Sequence, residues 1–446
     1  MELLLAASLG DPSALVRRGG RITEVAASFY RVSGLEAQAR LGDVVEHRGA
    51  TGLHWGEISR VSQDSVIVSP YEGAAEAGLG ESVFRRGPLK LFPTPAWRGR
   101  VVDALGRPVD GGVALPAAPE ASSASAGGGG APRALARARL GKGLKTGVKV
   151  VDIFTPICFG QRVGVFAGSG VGKSTLLAML ARAESFDTVV VALVGERGRE
   201  VREFLEDTLG AAGRQKTVAV VATGDESAAL RKRAPLTAMQ LAEHFRDLGQ
   251  NVLLVLDSVT RFAHAAREVA SAAGEPPVAR GYPASVFTEL PRLLERAGPG
   301  SELAGGSITA IVSVLVDGDD MNDPVADAVR GILDGHLVLK RAIAEENRFP
   351  AVDPLASLSR LAPKLWSAEE RALVGKLRAM IARFEETRDI RLLGAYQLGA
   401  DPALDQAVRQ APVIFEALTQ RPDEPHSTDA LGDLARHLRS REGRDG

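Results

Sequence analysis

Cysteine is nearly absent from this 446-residue chain, where Cys158 stands alone. An internal disulfide is therefore excluded, and the expectation is a protein of a reducing, cytosolic compartment. The 7 histidines are scattered and never fall at metal-ligand spacing with that cysteine, so no zinc site is indicated. Excess charge of either sign is also missing: 54 Lys and Arg against 55 Asp and Glu leave a net charge of −1. That balance argues against a nucleic-acid coat or a polybasic membrane binder. Aromatics make up only 5% of the residues, too few for the stacking platform of a single-strand binder. No run approaches the roughly eighteen apolar residues needed to span a bilayer. The apolar first ten residues lack a basic flank and are interrupted by Asp11-Pro12, so no signal peptide is expected.

What is present is an ordinary globular composition, 45% hydrophobic and 24% charged, on a chain long enough for two or three domains. Residues 1–20 carry Leu3, Leu4, Leu5, Leu15 and Val16, which suit a partner-binding segment and a frayed end equally. Residues 21–95 hold short β-rich runs between Gly and polar turns, among them Gly42-Asp-Val-Val45, Gly56-Glu-Ile58 and Asp64-Ser-Val-Ile-Val68; a small β-barrel is expected. Residues 96–146 combine a hairpin-like run at 99–108 with a Gly/Ala/Pro-rich linker that includes four consecutive glycines, Gly127 to Gly130.

From 147 to 362 apolar runs alternate with helical patterns. Strands are expected at 162–166, 188–194, 217–222, 251–256, 307–314 and 336–339. Several are bare apolar runs, the signature of strands covered on both faces, so a mostly parallel α/β sheet follows. Residues 363–446 read as a C-terminal α-helical domain. Ser367-Ala-Glu-Glu370 is a capping box, Leu373, Leu377, Met380, Ile381 and Phe384 share a helical face, and further helices fall near 402–419 and 428–438.

The strongest chemical signal is Ala167-Gly168-Ser169-Gly170-Val171-Gly172-Lys173-Ser174-Thr175, which follows an apolar strand and opens a helix. Such a loop lets backbone N–H groups curl around phosphate oxygens at a helix N-terminus. Lys173 would reach the β- and γ-phosphates of ATP, and the Ser174 hydroxyl would ligate Mg²⁺. The first position of the motif is Ala rather than Gly, which costs little if Ala167 keeps φ below zero. Asp257 directly follows the apolar run 251–256. Alone it would be a turn residue or helix cap; with the phosphate loop upstream it reads as the carboxylate behind Mg²⁺. Glu196 follows the run 188–194, at the rim where ligands of open α/β sheets bind, and is the candidate for orienting the attacking water. Arg197 beside it suits phosphate charge or holding the Glu.

Together GERGREV, LLVLDSVTRFAHAAREV, GEPPVARGYP, GSITAIVSVLVDGDDMNDP and FPAVDPLASLSR resemble the flagellar type III protein-export ATPases, which are similar to the catalytic β subunit of rotary ATP synthases. The resemblance runs from the 99–108 hairpin to the C-terminal helices and fades in the first twenty residues. It implies an N-terminal β-barrel, a RecA-like P-loop domain, C-terminal helices and a homohexameric ring that hydrolyses Mg-ATP. It also implies that Arg360 is an arginine finger reaching into the neighbouring subunit's site, and that Phe349 packs on adenine. The implied partners are a stator-like peripheral protein, a coiled-coil central stalk, a membrane export gate and chaperone–substrate complexes, at the cytoplasmic side of the inner membrane.

The C-terminal helices lack the acidic loop by which the rotary β subunit engages its rotor, having the mixed Arg383-Phe-Glu-Glu-Thr-Arg-Asp389 instead; this favours export over synthesis. The alternatives are an injectisome ATPase, a RecA-like nucleic-acid translocase, and a non-catalytic ring subunit, which would lack the Glu at 196. The 317–324 loop, DGDDMNDP, lacks EF-hand spacing, and Asp323-Pro324 suits a helix N-cap and first position.

Overall fold

The computed structural model describes residues 19–73, 76–115, 134–302, 305–316 and 323–442. The four-glycine run, most of the 1–20 segment and residues 317–322 of the acidic loop lie outside the described residues. Strands β1 (Gly19–Val25), β2 (Tyr30–Ser33), β3 (Val44–Gly49), β4 (Gly52–Val61), β5 (Val66–Pro70) and β6 (Ser82–Gly87) close a barrel in the order β1-β2-β5-β4-β3-β6. Alternation sends Ile22, Val32, Val45, Ile58, Val66, Val68 and Val83 inward to a core of their own.

The barrel seats on the next layer through Val44 and Tyr71, which join the core on one face of the central sheet, and through polar contacts. Arg60 donates to the Ala273 carbonyl at 2.8 Å, and Glu57 accepts from the Tyr71 hydroxyl at 2.9 Å while facing Arg233 at 3.4 Å. Tyr71 and Arg233 are both buried.

β7 (Val101–Asp103) opens the 99–108 run, which does turn back on itself through a Val102–Pro108 bridge. It also does something the sequence pattern does not announce: it pairs in parallel with a strand more than a hundred residues later and becomes an edge of the central sheet. After the short pair β8 (Gly143–Leu144) and β9 (Ile157–Cys158) come β10 (Arg162–Ala167), β11 (Thr188–Val194), β12 (Thr217–Ala222) and β13 (Asn251–Asp257). The ribbon β14 (Pro277–Ala279) and β15 (Tyr282–Pro283) and the short β16 (Gly298–Pro299) precede β17 (Ser307–Leu315), β18 (Gly335–Val338) and β19 (Leu358–Ser359).

The central order is β19-β18-β10-β17-β13-β11-β12-β7, parallel except for β19 on β18 and β16 on β17. Period-two alternation splits these apolar strands between two cores. Val163, Val165, Val189, Val191, Leu253 and Val255 face one side, and Phe166, Val190, Ala192, Leu254, Leu256 and Val312 face the other. The second side is covered by helices 228–247, 259–272, 284–294 and 324–332.

The first side is covered by the helix after β10 and by the C-terminal helices, so the last helices share a continuous core with the phosphate-loop face. The capping box forms: Ser367 Oγ accepts from Glu370 N at 3.1 Å and Ser367 N donates to Glu370 Oε2 at 2.7 Å. The buried stripe of that helix is Val374, Leu377 and Ile381, whereas Leu373 is 42% exposed. The helices Pro402–Leu418 and Ala430–Glu442 follow. Asp323 caps the helix Pro324–Ile332, accepting from Val325 N and Ala326 N. Cys158 is fully buried, and burial pushes its thiol up to about 11.

Candidate functional site

β10 delivers the glycine-rich loop to the carboxyl edge of the sheet. Ala167 is its last residue, buried and paired with Leu315, and its φ is not positive, so the methyl group is accommodated. Ser169 and Gly170 are exposed while Val171 is buried and pins the loop beneath. Gly172 sits at φ 94 and turns the chain into the helix Lys173–Ala181; a side chain there would be strained. Ser174 is exposed at the mouth, and Thr175 behind it is half-buried.

Asp257 ends β13 in a buried position. Its Oδ1 accepts from Lys173 Nζ at 2.5 Å and from Ser313 Oγ at 2.7 Å. Lys173 Nζ also lies 3.8 Å from Glu196 Oε1. Thus the ends of β10, β11 and β13 bring one ammonium and two carboxylates together. Burial pushes the Glu196 carboxyl up to about 7; Lys173 opposes this, while Asp257 and a hydrogen bond to Glu200 add to it. Glu200 is held low, first by that same hydrogen bond.

The buried carboxylate already has a cation against it, and the hard oxygens of Ser174 and Asp257 are the donor type Mg²⁺ takes. Ser174 and Asp257 therefore fit a Mg²⁺ ion carried in with nucleotide phosphates.

Arg197 is exposed and lies 3.6 Å from Glu200, so it bears on Glu196 only through that second carboxyl. Phe349 is half-buried, and its ring comes within 3.5 Å of where a side chain at Gly172 would begin. The ring also walls an apolar slot with Val150, Ile343, Val352 and Leu418. Arg341 donates to the Ser169 carbonyl at 3.0 Å from the other side of the loop.

Arg360 is placed apart from all of these. It follows β19, is exposed, and donates its backbone N–H to the Asp334 carbonyl at 2.9 Å, at the amino-terminal edge of β18 and β10. At about 3.3 Å per residue, the length of β10 puts roughly 16 Å between that edge and the chain's own phosphate loop.

Residues 147–359 match the ATP synthase alpha/beta family, nucleotide-binding domain, and residues 366–434 match the T3SS EscN ATPase C-terminal domain. The chain is 58% identical to the flagellum-specific ATP synthase of Agrobacterium fabrum over 98% of its own length and 91% of that protein's. The chain belongs to the flagellum-specific ATP synthase family. The type 3 secretion system ATPase of Xanthomonas euvesicatoria is 42% identical, over 92% of each chain. The assembled ATPase EscN of the enteropathogenic E. coli type III secretion system has the same fold, with TM-score 0.84 and 37% identity, covering 94% of this chain and 100% of that one. The higher identity lies on the flagellar side.

A flagellum-specific ATP synthase is an ATP-using enzyme, and the strand-end constellation lies within the residues that match the nucleotide-binding domain. One neighbour of these groups escapes sequence reasoning. Arg261, four residues past Asp257, packs along Gly195, where a side chain would begin 3.2 Å from Arg261 Cδ. Its Nε is buried without a hydrogen-bond partner among the described residues. The sequence signal was available: an Arg in the first turn after a strand-end Asp lies on the same rim. By periodicity alone it reads as a helix surface residue.

Proposed function

We propose that this chain works as a homohexameric, Mg²⁺-dependent ATP-hydrolysing ring that energises flagellar protein export. The observation that carries the reading is the meeting of Lys173, Asp257 and Glu196 at the ends of three strands around an open glycine loop. The loop amides and Lys173 grip the terminal phosphates, and Phe349 supports the base. Mg²⁺ held by Ser174 and Asp257 would neutralise charge on the β- and γ-phosphates. Glu196 holds the attacking water in line and takes its proton, and Arg261 beside it faces developing charge on the γ-phosphoryl group.

Arg360 completes the site in trans. Its place at the far edge of the sheet leaves it useless to its own phosphate loop and free to reach a neighbour's. EscN has been solved with its central stalk EscO, and a coiled-coil stalk is proposed for this chain too. A stator-like peripheral protein, a membrane export gate and chaperone–substrate complexes are the remaining proposed partners; nucleic acid is not among them. Among the described residues no helix is long and apolar enough to cross a membrane, which suits peripheral attachment at the cytoplasmic face.

The test is ATPase rate per subunit against protein concentration. The rate is expected to climb as rings assemble and to fall by about 10³-fold or more in Arg360→Ala. A rate flat with dilution and indifferent to that change would remove the shared site.

A further inference from the structure

We propose that Gln161 and Asp334, with Gly335 beneath them, are positioning residues for Arg360: they hold residues 358–360 in the pose that a neighbouring site requires. The proposal rests on the reading of Arg360 as an in-trans finger. Both lie at the sheet edge opposite the glycine loop, and neither belongs to a motif that the phosphate chemistry uses.

Gln161 is fully buried, one residue before β10. Its Oε1 accepts from Cys158 N at 3.0 Å, and its Nε2 donates to Ser359 Oγ at 3.1 Å. Ser359 in turn donates to the Pro156 carbonyl at 2.8 Å. The residue before the finger is therefore tied by its side chain to two points of the chain entering β10. Buried amides and hydroxyls with every bond made resist displacement, because any shift strands a polar group away from water.

The finger residue itself is held by its backbone N–H on the Asp334 carbonyl at 2.9 Å. The Asp334 carboxylate is anchored in turn, accepting from Arg162 N at 3.0 Å and Nε at 3.1 Å. At Gly335 a side chain would begin 2.5 Å from the Leu358 carbonyl oxygen, so the finger-bearing strand lies as close as a glycine allows. Three independent contacts, polar and steric, thus converge on residues 358–360 while the Arg360 side chain is left exposed. Every anchor sits at the amino-terminal edge of β10 and its neighbour β18, and β10 carries the phosphate loop at its other end.

A displaced finger and a damaged site both lower turnover, but only the first can be cured by a neighbour. The full-length chain is prepared as Gln161→Met, Gly335→Ala and Ser359→Ala, each assayed alone and mixed with Lys173→Ala, whose own site is dead and whose finger is intact. Arg360→Ala mixed with Lys173→Ala is the reference. Each positioning variant is expected to form rings, keep KM for ATP within about twofold, and lose kcat by about 10- to 100-fold. Mixing should restore activity above the sum of the parts, as it does for the reference.

Variants that keep wild-type kcat overturn the assignment. So does a loss that mixing fails to restore while the reference pair recovers, since the fault then lies in the variant's own site. If the reference pair itself shows no recovery, the finger reading fails and takes the positioning role with it. Should Gln161→Met not fold, Gly335→Ala carries the same test without removing a polar group.

Discussion

Glu196, at the strand-end site, is held well above the usual carboxylate range. Burial outweighs the attraction of Lys173 and holds the carboxyl at about 7. In the proposed role Glu196 accepts a proton from water and must first be ionised, so raising the pH through that value is expected to switch the site on. The expected profile of kcat/KM for ATP rises between about pH 6 and 8 and is level above. Glu196→Gln should erase that limb and lower kcat by about 10²- to 10⁴-fold while nucleotide still binds. Titrating bound fluorescent nucleotide beside turnover checks both halves. A Gln variant that loses binding together with turnover would assign Glu196 to substrate affinity instead.

At the scale of elements, the C-terminal helix Ala368–Glu386 separates buried from merely apolar positions. Leu377 is fully buried against the phosphate-loop face, so Leu377→Ala should cost about 2–5 kcal/mol of stability. Leu373→Ala, at a position 42% exposed, should cost about 0.5 kcal/mol or less. Denaturant unfolding of the pair decides it, and similar losses from both would mean the helix is rotated from the face described. The helical period located this element and its cap. The expected stripe holds at Leu377 and Ile381 and fails only at its start, where Val374 rather than Leu373 points to the core. Strands β10 to β13, β17 and β18 were legible to within a residue or two, since an apolar run covered on both faces is bounded sharply by polar ends. β7 was not legible as part of that sheet. Three residues pairing with a strand more than a hundred positions away leave no local pattern to read.

The placing of the glycine loop, Asp257 and Glu196 at strand ends was readable because each follows a recognisable strand. The approach of Arg261 to Gly195 and the anchoring of residues 358–360 were not, because they come from tertiary contact rather than spacing. At the scale of the whole molecule, the polar contacts between barrel and nucleotide domain include a buried group, so losing its partner should matter. Glu57→Ala would leave buried Arg233 without its carboxylate and Tyr71 without its acceptor. The expected loss is about 3 kcal/mol or more in barrel seating. Limited proteolysis near residues 88–95 should show it as faster cleavage that leaves the nucleotide domain intact. Cleavage unchanged from wild type would mean Arg60 and the apolar contacts suffice.

The sealed position of Cys158 has a practical consequence. With the thiol pushed up to about 11, only about one molecule in ten thousand carries a thiolate there at pH 7. Maleimide reagents should find the wild-type chain blank. A cysteine placed at exposed Leu393, 84% accessible beside the C-terminal helices, would then be a sole handle for dyes or crosslinkers. Ring closure and subunit exchange could be watched in real time without first stripping out a native residue.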